Sequence, residues 1–252
     1  IMPITLFSDI AKLPIHQTLN WPYMGAYFCA SLSVMVLSFF TVRIIHKLST
    51  RETLIALMAS TQTNTAYLAL PLFLFLFHTI TPVASIILVQ VIFNFAFLLG
   101  LEISKTQTRH YWRAAITTLW KAPILIGILL GLGASYIHLS LPHIIEQSFK
   151  MVSNSAIFLA LLALGMSLAE PREPRSTQEN IQTLWIILLK SIIHPVVAFL
   201  LGRYVFELSG FTLTALTLMA SMPTAKNVFV FAKRYQAGAD RANVIVLTTT
   251  CI

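Results

Sequence analysis

The sequence predicts an all-α protein that crosses a membrane many times. Three observations carry this reading: an excess of apolar residues, apolar runs long enough to span a bilayer, and basic residues gathered in alternate loops. Of the 252 residues, 57% are hydrophobic and 10% charged, with a mean hydropathy of +0.79. A soluble domain carries about 25% charged residues. So few charges cannot clothe a globule of this size, whereas lipid requires none. The net charge of +8 does not point to nucleic acid, because the bases lie in short loops between apolar runs.

A membrane helix needs about 20 mostly apolar residues. The runs are Trp21–Ile45, Leu54–Phe77, Val83–Leu101, Ala122–Ile137, Phe149–Leu168, Leu184–Phe206 and Phe211–Ala232. Partial segments lie at either end, Ile1–Ile10 and Ala242 onward. Alternate loops carry Arg43, Lys47 and Arg51; Lys105, Arg109, Arg113 and Lys121; Arg172 and Arg175; and Lys233, Arg234 and Arg241. The other loops hold only Lys12, Lys150 and Arg203. The asymmetry never changes sign, which places the first set in the cytoplasm and supports the segment count. Pro14, Pro22, Pro82 and Pro142 fall in the opposite turns, where helices stop or start.

Two runs are interrupted by polar residues far from their ends. The first holds Ser60-Thr61-Gln62-Thr63-Asn64-Thr65, with Pro71 beyond. The second holds Ser221-Met222-Pro223-Thr224-Ala225-Lys226-Asn227. Each break lies equally far beyond the start of its preceding helix, near Trp21 in one case and Gln182 in the other. The two halves enter the membrane from opposite sides. Broken helices at matching positions of two inverted halves are the best sequence pointer to a transporter site.

These residues resemble the auxin efflux carrier family. Met222-Pro-Thr-Ala-Lys-Asn-Val-Phe-Val-Phe-Ala-Lys-Arg-Tyr235 is similar to its penultimate helix, where plant PIN-type members have a Phe-Val-Phe-Ala-Lys-x-Tyr run. Asn64-Thr-Ala-Tyr-Leu-Ala-Leu-Pro-Leu72 resembles the Asn-x-x-x-x-Gly-x-Pro motif of its fourth helix, with Ala69 in place of the glycine. Leu161–Ala169 resembles the seventh helix, and Lys190 with Pro195 the eighth. The resemblance implies a ten-helix fold of two inverted five-helix repeats, here lacking helix 1 and most of helix 10. Residues 1–14 would end helix 2 and 121–169 would form helices 6 and 7, both in a static scaffold. Residues 20–103 (helices 3–5) and 182–252 (helices 8–10) would form a mobile transport unit. It also implies organic-anion substrates such as auxin, malate or malonate, a homodimer, and the inner (plasma) membrane as location.

The breaks are the candidate substrate site. Half-helix N-termini carry partial positive charge and free N–H donors, and so favour an anion. Thr63, Asn64, Thr65 and Pro71 from the first break, with Pro223, Thr224, Lys226 and Asn227 from the second, are the candidate ligands. The plainer reading is that Pro71 and Pro223 only kink packed helices while the polar groups satisfy freed carbonyls. Lys226 is the most informative residue, since a lysine at mid-membrane costs about 2.5–3.5 kcal/mol. Either it meets a substrate carboxylate, which would favour a more acidic substrate such as a dicarboxylate, or it snorkels toward the edge near Lys233. Lys190 and His194 share one helix face as candidate coupling residues. For Lys190, snorkelling is an even alternative. For His194, a neutral imidazole bonded to a neighbouring helix is favoured over a proton carrier.

Other classes find less support. No Ser-His-Asp set, metal-ligand spacing or nucleotide loop is visible, so no enzyme, metal or cofactor is expected. Cys29 and Cys251 lie in apolar stretches and imply no disulfide framework. A sodium or proton antiporter of similar inverted-repeat plan is the alternative. It is weakened because acids sit in loops or at segment ends, Asp9 apart, while H+ and Na+ both stand as coupling ions.

Overall fold

The computed structural model describes residues 19–104, 123–137, 144–149 and 177–252, with scattered positions from 4 to 11 and from 139 to 162. The segment expected over Phe149–Leu168 lies outside these apart from single positions, as do most of residues 1–14. The described residues are helical, apart from turns and one isolated antiparallel bridge.

Helix α1 spans Trp21–Phe39 and continues through a π-type segment, Phe40–Ile45. Asn20 caps its start, its side chain accepting from the Tyr23 amide, and Pro22 occupies the first turn, where a missing N–H costs nothing. Helix α2, Thr50–Thr61, opens on a capping box in which Ser49 and Glu52 satisfy each other's backbone amides. After Gln62–Asn64 the chain turns helical again through a π-type segment, Thr65–Ala69, and α3, Leu70–Phe77. Helix α4 spans Thr81–Ile103 and α5 Pro123–Tyr136. Helix α6, Thr177–Leu188, passes through a π-type segment, Leu189–Ile193, into α7, His194–Tyr204. Helices α8, Gly210–Ser221, and α9, Asn227–Arg234, flank the second break, and α10 covers Ala239–Cys251. The order helix, interrupted helix, helix thus occurs twice: α1, α2–α3, α4 and α6–α7, α8–α9, α10.

The two internal prolines explain two of the π-type segments. A proline ring collides with the carbonyl four residues earlier and offers it no N–H. For Pro71 that carbonyl belongs to Tyr67, and for Pro195 to Ser191; both lie inside π-type segments. The wider turn moves the carbonyl aside without ending the helix.

The first break is shorter than its polar run. Helix α2 continues through Ser60 and Thr61, whose hydroxyls donate to the Leu57 carbonyl, so both stay helical. Only Gln62, Thr63 and Asn64 leave the helix. In the second, Ser221 is likewise helical, its hydroxyl donating to Leu218 O.

Among the described residues, three helices are long and apolar enough to cross a membrane: Trp21–Ile45, Thr81–Ile103 and Gln178–Tyr204. Their outer faces are apolar. Leu32, Val36 and Phe39 form a stripe on α1, and Ile192, Val196 and Phe199 another that runs from the π-type segment onto α7. Polar residues gather inside instead, among them Ser31, Gln62, Thr63, Asn64, Gln90, Lys190, His194 and Thr224. This inverts the soluble pattern. Helix α7 packs on α1 and α8, α1 on α2, and α9 on α10.

At the far end of α4, Arg51 donates to Ser104 O and Arg241 pairs with Glu52 at 3.8 Å. Tyr235, in the turn after α9, donates to Glu102 Oε1 at 2.5 Å. Burial, followed by the bond to Glu102 and its charge, holds this phenol above its ordinary value of 10.0. An acid whose native pKa is raised stabilises the fold fully below its unfolded value and loses that contribution as pH climbs toward the native one. The melting-temperature gap between wild type and Tyr235→Phe should therefore be constant below about pH 10 and shrink above it. Packing gives a second expectation. A Cβ on Gly202 would stand 2.6 Å from Leu216 Cδ2, whereas one on Gly133 would meet nothing within 4 Å. Gly202→Val should cost about 1–3 kcal/mol in detergent unfolding. Gly133→Ala should leave stability equal or raise it by up to about 1 kcal/mol.

Candidate functional site

An interrupted helix leaves carbonyls on one side of the gap and amides on the other without partners. Here the two gaps lie against each other and supply one another. Thr63 and Thr224 form the antiparallel bridge. The Asn64 amide donates to Pro223 O at 2.8 Å, and the Ala225 amide donates to Gln62 O at 3.0 Å. Thr224 Oγ1 donates to Ala59 O, in the last turn of α2, at 2.7 Å. Proline suits position 223, where only a carbonyl is used.

Neighbouring helices complete the pairing. Tyr27 on α1 donates to Thr61 O at 3.4 Å and lies 3.1 Å from Thr63 Oγ1. Gln90 on α4 donates through Nε2 to Thr63 O at 3.2 Å and to Thr63 Oγ1, and its Oε1 faces Thr65 Oγ1 at 3.5 Å. Around the second gap, the Thr224 amide donates to Thr249 Oγ1 on α10 at 3.1 Å. Lys190 Nζ donates to Ala220 O, in the last turn of α8, at 2.9 Å.

Seven of the eight candidate ligands therefore meet at one locus: Thr63, Asn64 and Thr65 face Pro223, Thr224, Lys226 and Asn227 across the paired gaps. Pro71 sits beyond the π-type segment with its ring buried, where it shapes α3. Three polar atoms at the locus are buried and unpaired: Gln62 Oε1, Asn64 Nδ2 and Asn227 Oδ1. Asn64 is 3% exposed, and its Oδ1 is already used to accept from the Tyr67 amide at 3.2 Å. Its Nδ2 is left as a donor. The amides of Lys226 and Asn227 have no backbone acceptor among the described residues. Lys226 is half-buried in the turn before α9, and no described side chain bonds its Nζ.

Lys190 does not snorkel. It is 0% exposed, and its Nζ lies inward between Ala220 O, at 2.9 Å, and His194 Nδ1, at 3.1 Å. The other ring nitrogen, Nε2, lies 3.2 Å from Ser31 Oγ on α1, which ties His194 to a neighbouring helix. The ring of Tyr27 stands edge-on to it, with centroids 5.6 Å apart.

Sequence reasoning missed Tyr27, Gln90 and Thr249. Gln90 had a usable signal, being an amide in the middle of an apolar membrane-length run. Thr249 had none, because threonines bond their own helix carbonyls as often as a neighbour. Thr249→Val should lower stability by about 1–3 kcal/mol in detergent by orphaning the Thr224 amide. Gln90→Met should cost less, about 0.5–1.5 kcal/mol, because the Thr63 carbonyl keeps the Thr65 amide. Thr250→Val is the control: its hydroxyl bonds only Val246 O in its own helix, and its unfolding should stay within about 0.5 kcal/mol of wild type.

Two cavities flank this locus along α4. One of about 310 Å³ lies among the starts of α1, α4 and α8, lined by Asn20, Tyr23, Thr81 and Phe211. Another, of about 490 Å³, lies at the opposite end, lined by Arg51, Glu52, Ser104 and Gln236. Gln90, which holds Thr63, sits between the two ends of α4.

Known proteins are similar in sequence to parts of this chain. Residues 98–252 match the family described as Membrane transport protein, a stretch that includes the whole second gap. A protein of Rhizobium meliloti (strain 1021) named "Putative malonate transporter" is 27% identical over 130 residues, covering 52% of this chain and 40% of that protein. "Probable auxin efflux carrier component 5a" of Oryza sativa subsp. japonica is 26% identical over 122 residues, covering 48% of this chain and 33% of its own. The chain thus spans less than half the length of either relative. The family match covers more than half of the chain itself, from the end of α4 onward, so this protein belongs to the membrane transport family, that of the auxin efflux carriers.

Proposed function

We propose that the protein is a secondary transporter of small organic anions, working by alternating access, with its substrate bound at the paired gaps. One observation carries the reading. Two helix interruptions hydrogen-bond to each other at a buried locus that still holds an unpaired amide donor on Asn64 and a lysine, Lys226, beside it. The segment beginning at Thr65 and helix α9 both start there, and their N-terminal ends favour negative charge. A carboxylate would take the Asn64 Nδ2 hydrogen and the amides of Lys226 and Asn227. The Lys226 ammonium would take a second carboxylate or the far oxygen of the first.

The repeated element order, with its second copy entering from the opposite side by loop charge, is that of an inverted repeat. In this reading α1–α4 and α6–α10 form the moving unit, and the basic loops face the cytoplasm of a cell whose inner (plasma) membrane holds the protein. The two cavities at opposite ends of α4 would be its approaches from either side. Malonate and auxin, the compounds in the relatives' names, are both carboxylates and fit this chemistry.

Uptake of radiolabelled malonate and malate into proteoliposomes tests the reading. Wild-type protein should transport at least one of them. Lys226→Ala and Asn64→Ala should each weaken substrate affinity about 10-fold to 100-fold, the worth of a charge-assisted hydrogen bond. Unchanged uptake in both variants, or sodium flux driven by pH without any anion flux, would refute it; the second result would favour the cation antiporter.

A further inference from the structure

The cavity among the starts of α1, α4 and α8 stands apart from the paired gaps. Its volume of about 310 Å³ falls at the small end of the range for organic ligands. Three helix N-termini converge on it, and each brings partial positive charge. Two of them are capped. Asn20 Oδ1 accepts from the Tyr23 amide at 3.2 Å, and Thr79 Oγ1 accepts from the Thr81 amide at 3.3 Å. The third is not. Ser209 makes no side-chain cap, and the amides of Gly210, Phe211 and Thr212 have no backbone acceptor among the described residues. Tyr23 stands on the cavity wall, 2% exposed, and its hydroxyl is buried without a partner. A buried phenol ordinarily finds one.

We propose that this cavity is a second binding site, which takes a small organic acid with one carboxylate and an apolar body. Its place on the substrate's route rests on the transporter reading above; its binding does not. The carboxylate takes the Tyr23 hydrogen and the free amides at the start of α8. The body lies against Pro82, Phe211 and Ala215. Among the described residues no charged side chain lines the cavity, and Glu207, in the turn before α8, is exposed and outside it. A second carboxylate would therefore be desolvated on an apolar wall without a counter-ion. The gaps, with Lys226 beside them, have a cation for it. The two sites thus sort acids by charge. The lack of a cation also keeps the hold weak, as a site that passes its ligand onward requires. Tyr23 and Tyr27 stand one helical turn apart on α1, about 6 Å along its axis, and Tyr27 bonds Thr61 and Thr63 at the first gap. The cavity is one turn of α1 away from the paired gaps.

Saturation-transfer NMR on the purified protein in detergent tests the site, with phenylacetate as the probe at pH 7. Excess malonate is present throughout, to fill the gaps and leave the cavity open. Wild type should bind phenylacetate under these conditions, and should not bind the neutral phenylacetamide. Tyr23→Phe removes the one hydroxyl and keeps the ring. It should weaken phenylacetate binding about tenfold or more. Its melting temperature without ligand should equal or exceed that of wild type, because the lost group had no partner. Asn64→Ala, at the gaps, should bind phenylacetate as wild type does. The proposal is overturned if malonate displaces phenylacetate completely, if phenylacetamide binds as tightly, if Tyr23→Phe binds like wild type, or if Asn64→Ala abolishes binding. Should Tyr23→Phe not fold, Thr212→Trp takes its place: it fills the cavity from the uncapped start of α8, and must lose the binding. If wild type moves no carboxylate into proteoliposomes, the transporter reading fails, and these binding comparisons still decide the site.

Discussion

A backbone amide or carbonyl left unpaired in hydrocarbon costs several kcal/mol, and both interrupted helices would incur that cost if they stood alone. The pairing of Gln62–Asn64 with Pro223–Ala225 removes it. Neither gap satisfies all its own groups: beside local bonds such as the Gln62 amide on Met58 O and the Thr65 amide on Thr63 O, partners come from the other gap. The two interruptions are therefore one structural unit, and the placement of the surrounding helices follows from it.

The support around that unit is matched in plan and different in chemistry. In each half, the preceding helix reaches the carbonyl end of the half-helix: Tyr27 to Thr61 O, and Lys190 to Ala220 O. In each half, the following helix holds the bridging threonine: Gln90 on Thr63, and Thr249 on Thr224. A phenol answers one end and a lysine amine the other. With the α8 carbonyls answered by Lys190, the free donors of Asn64, Lys226 and Asn227 face the locus with little opposing negative charge. Glu52 and Glu102 stand at the far end of α4 and not here.

Proline shapes this arrangement in three ways, each following from its missing N–H. At helix starts, as with Pro22 and Pro82, nothing is lost. Inside helices, as with Pro71 and Pro195, a π-type segment carries the displaced carbonyl and the helix continues. In the second gap, Pro223 offers only its carbonyl, and that carbonyl is the one the Asn64 amide takes.

The membrane class, the family and the helical runs were legible in residue order, because lipid demands long apolar spans and the loop charges keep count of them. The two polar runs were legible as well, since polar residues in mid-span are rare. Their extent was not: Ser60 and Thr61 read as part of the break, yet their hydroxyls bond back to Leu57 O and the helix runs on through them. Nor were the inward turn of Lys190 or the grip of Gln90 and Tyr27 on Thr63. A side chain's own sequence neighbourhood sets its cost of burial, but which carbonyl it meets depends on a helix tens of residues away. Sequence alone determined that this chain has a solvent of lipid and a polar middle. The tertiary structure decided which backbone groups pair there and which donors remain free, because pairing is a property of two segments and no single segment encodes it.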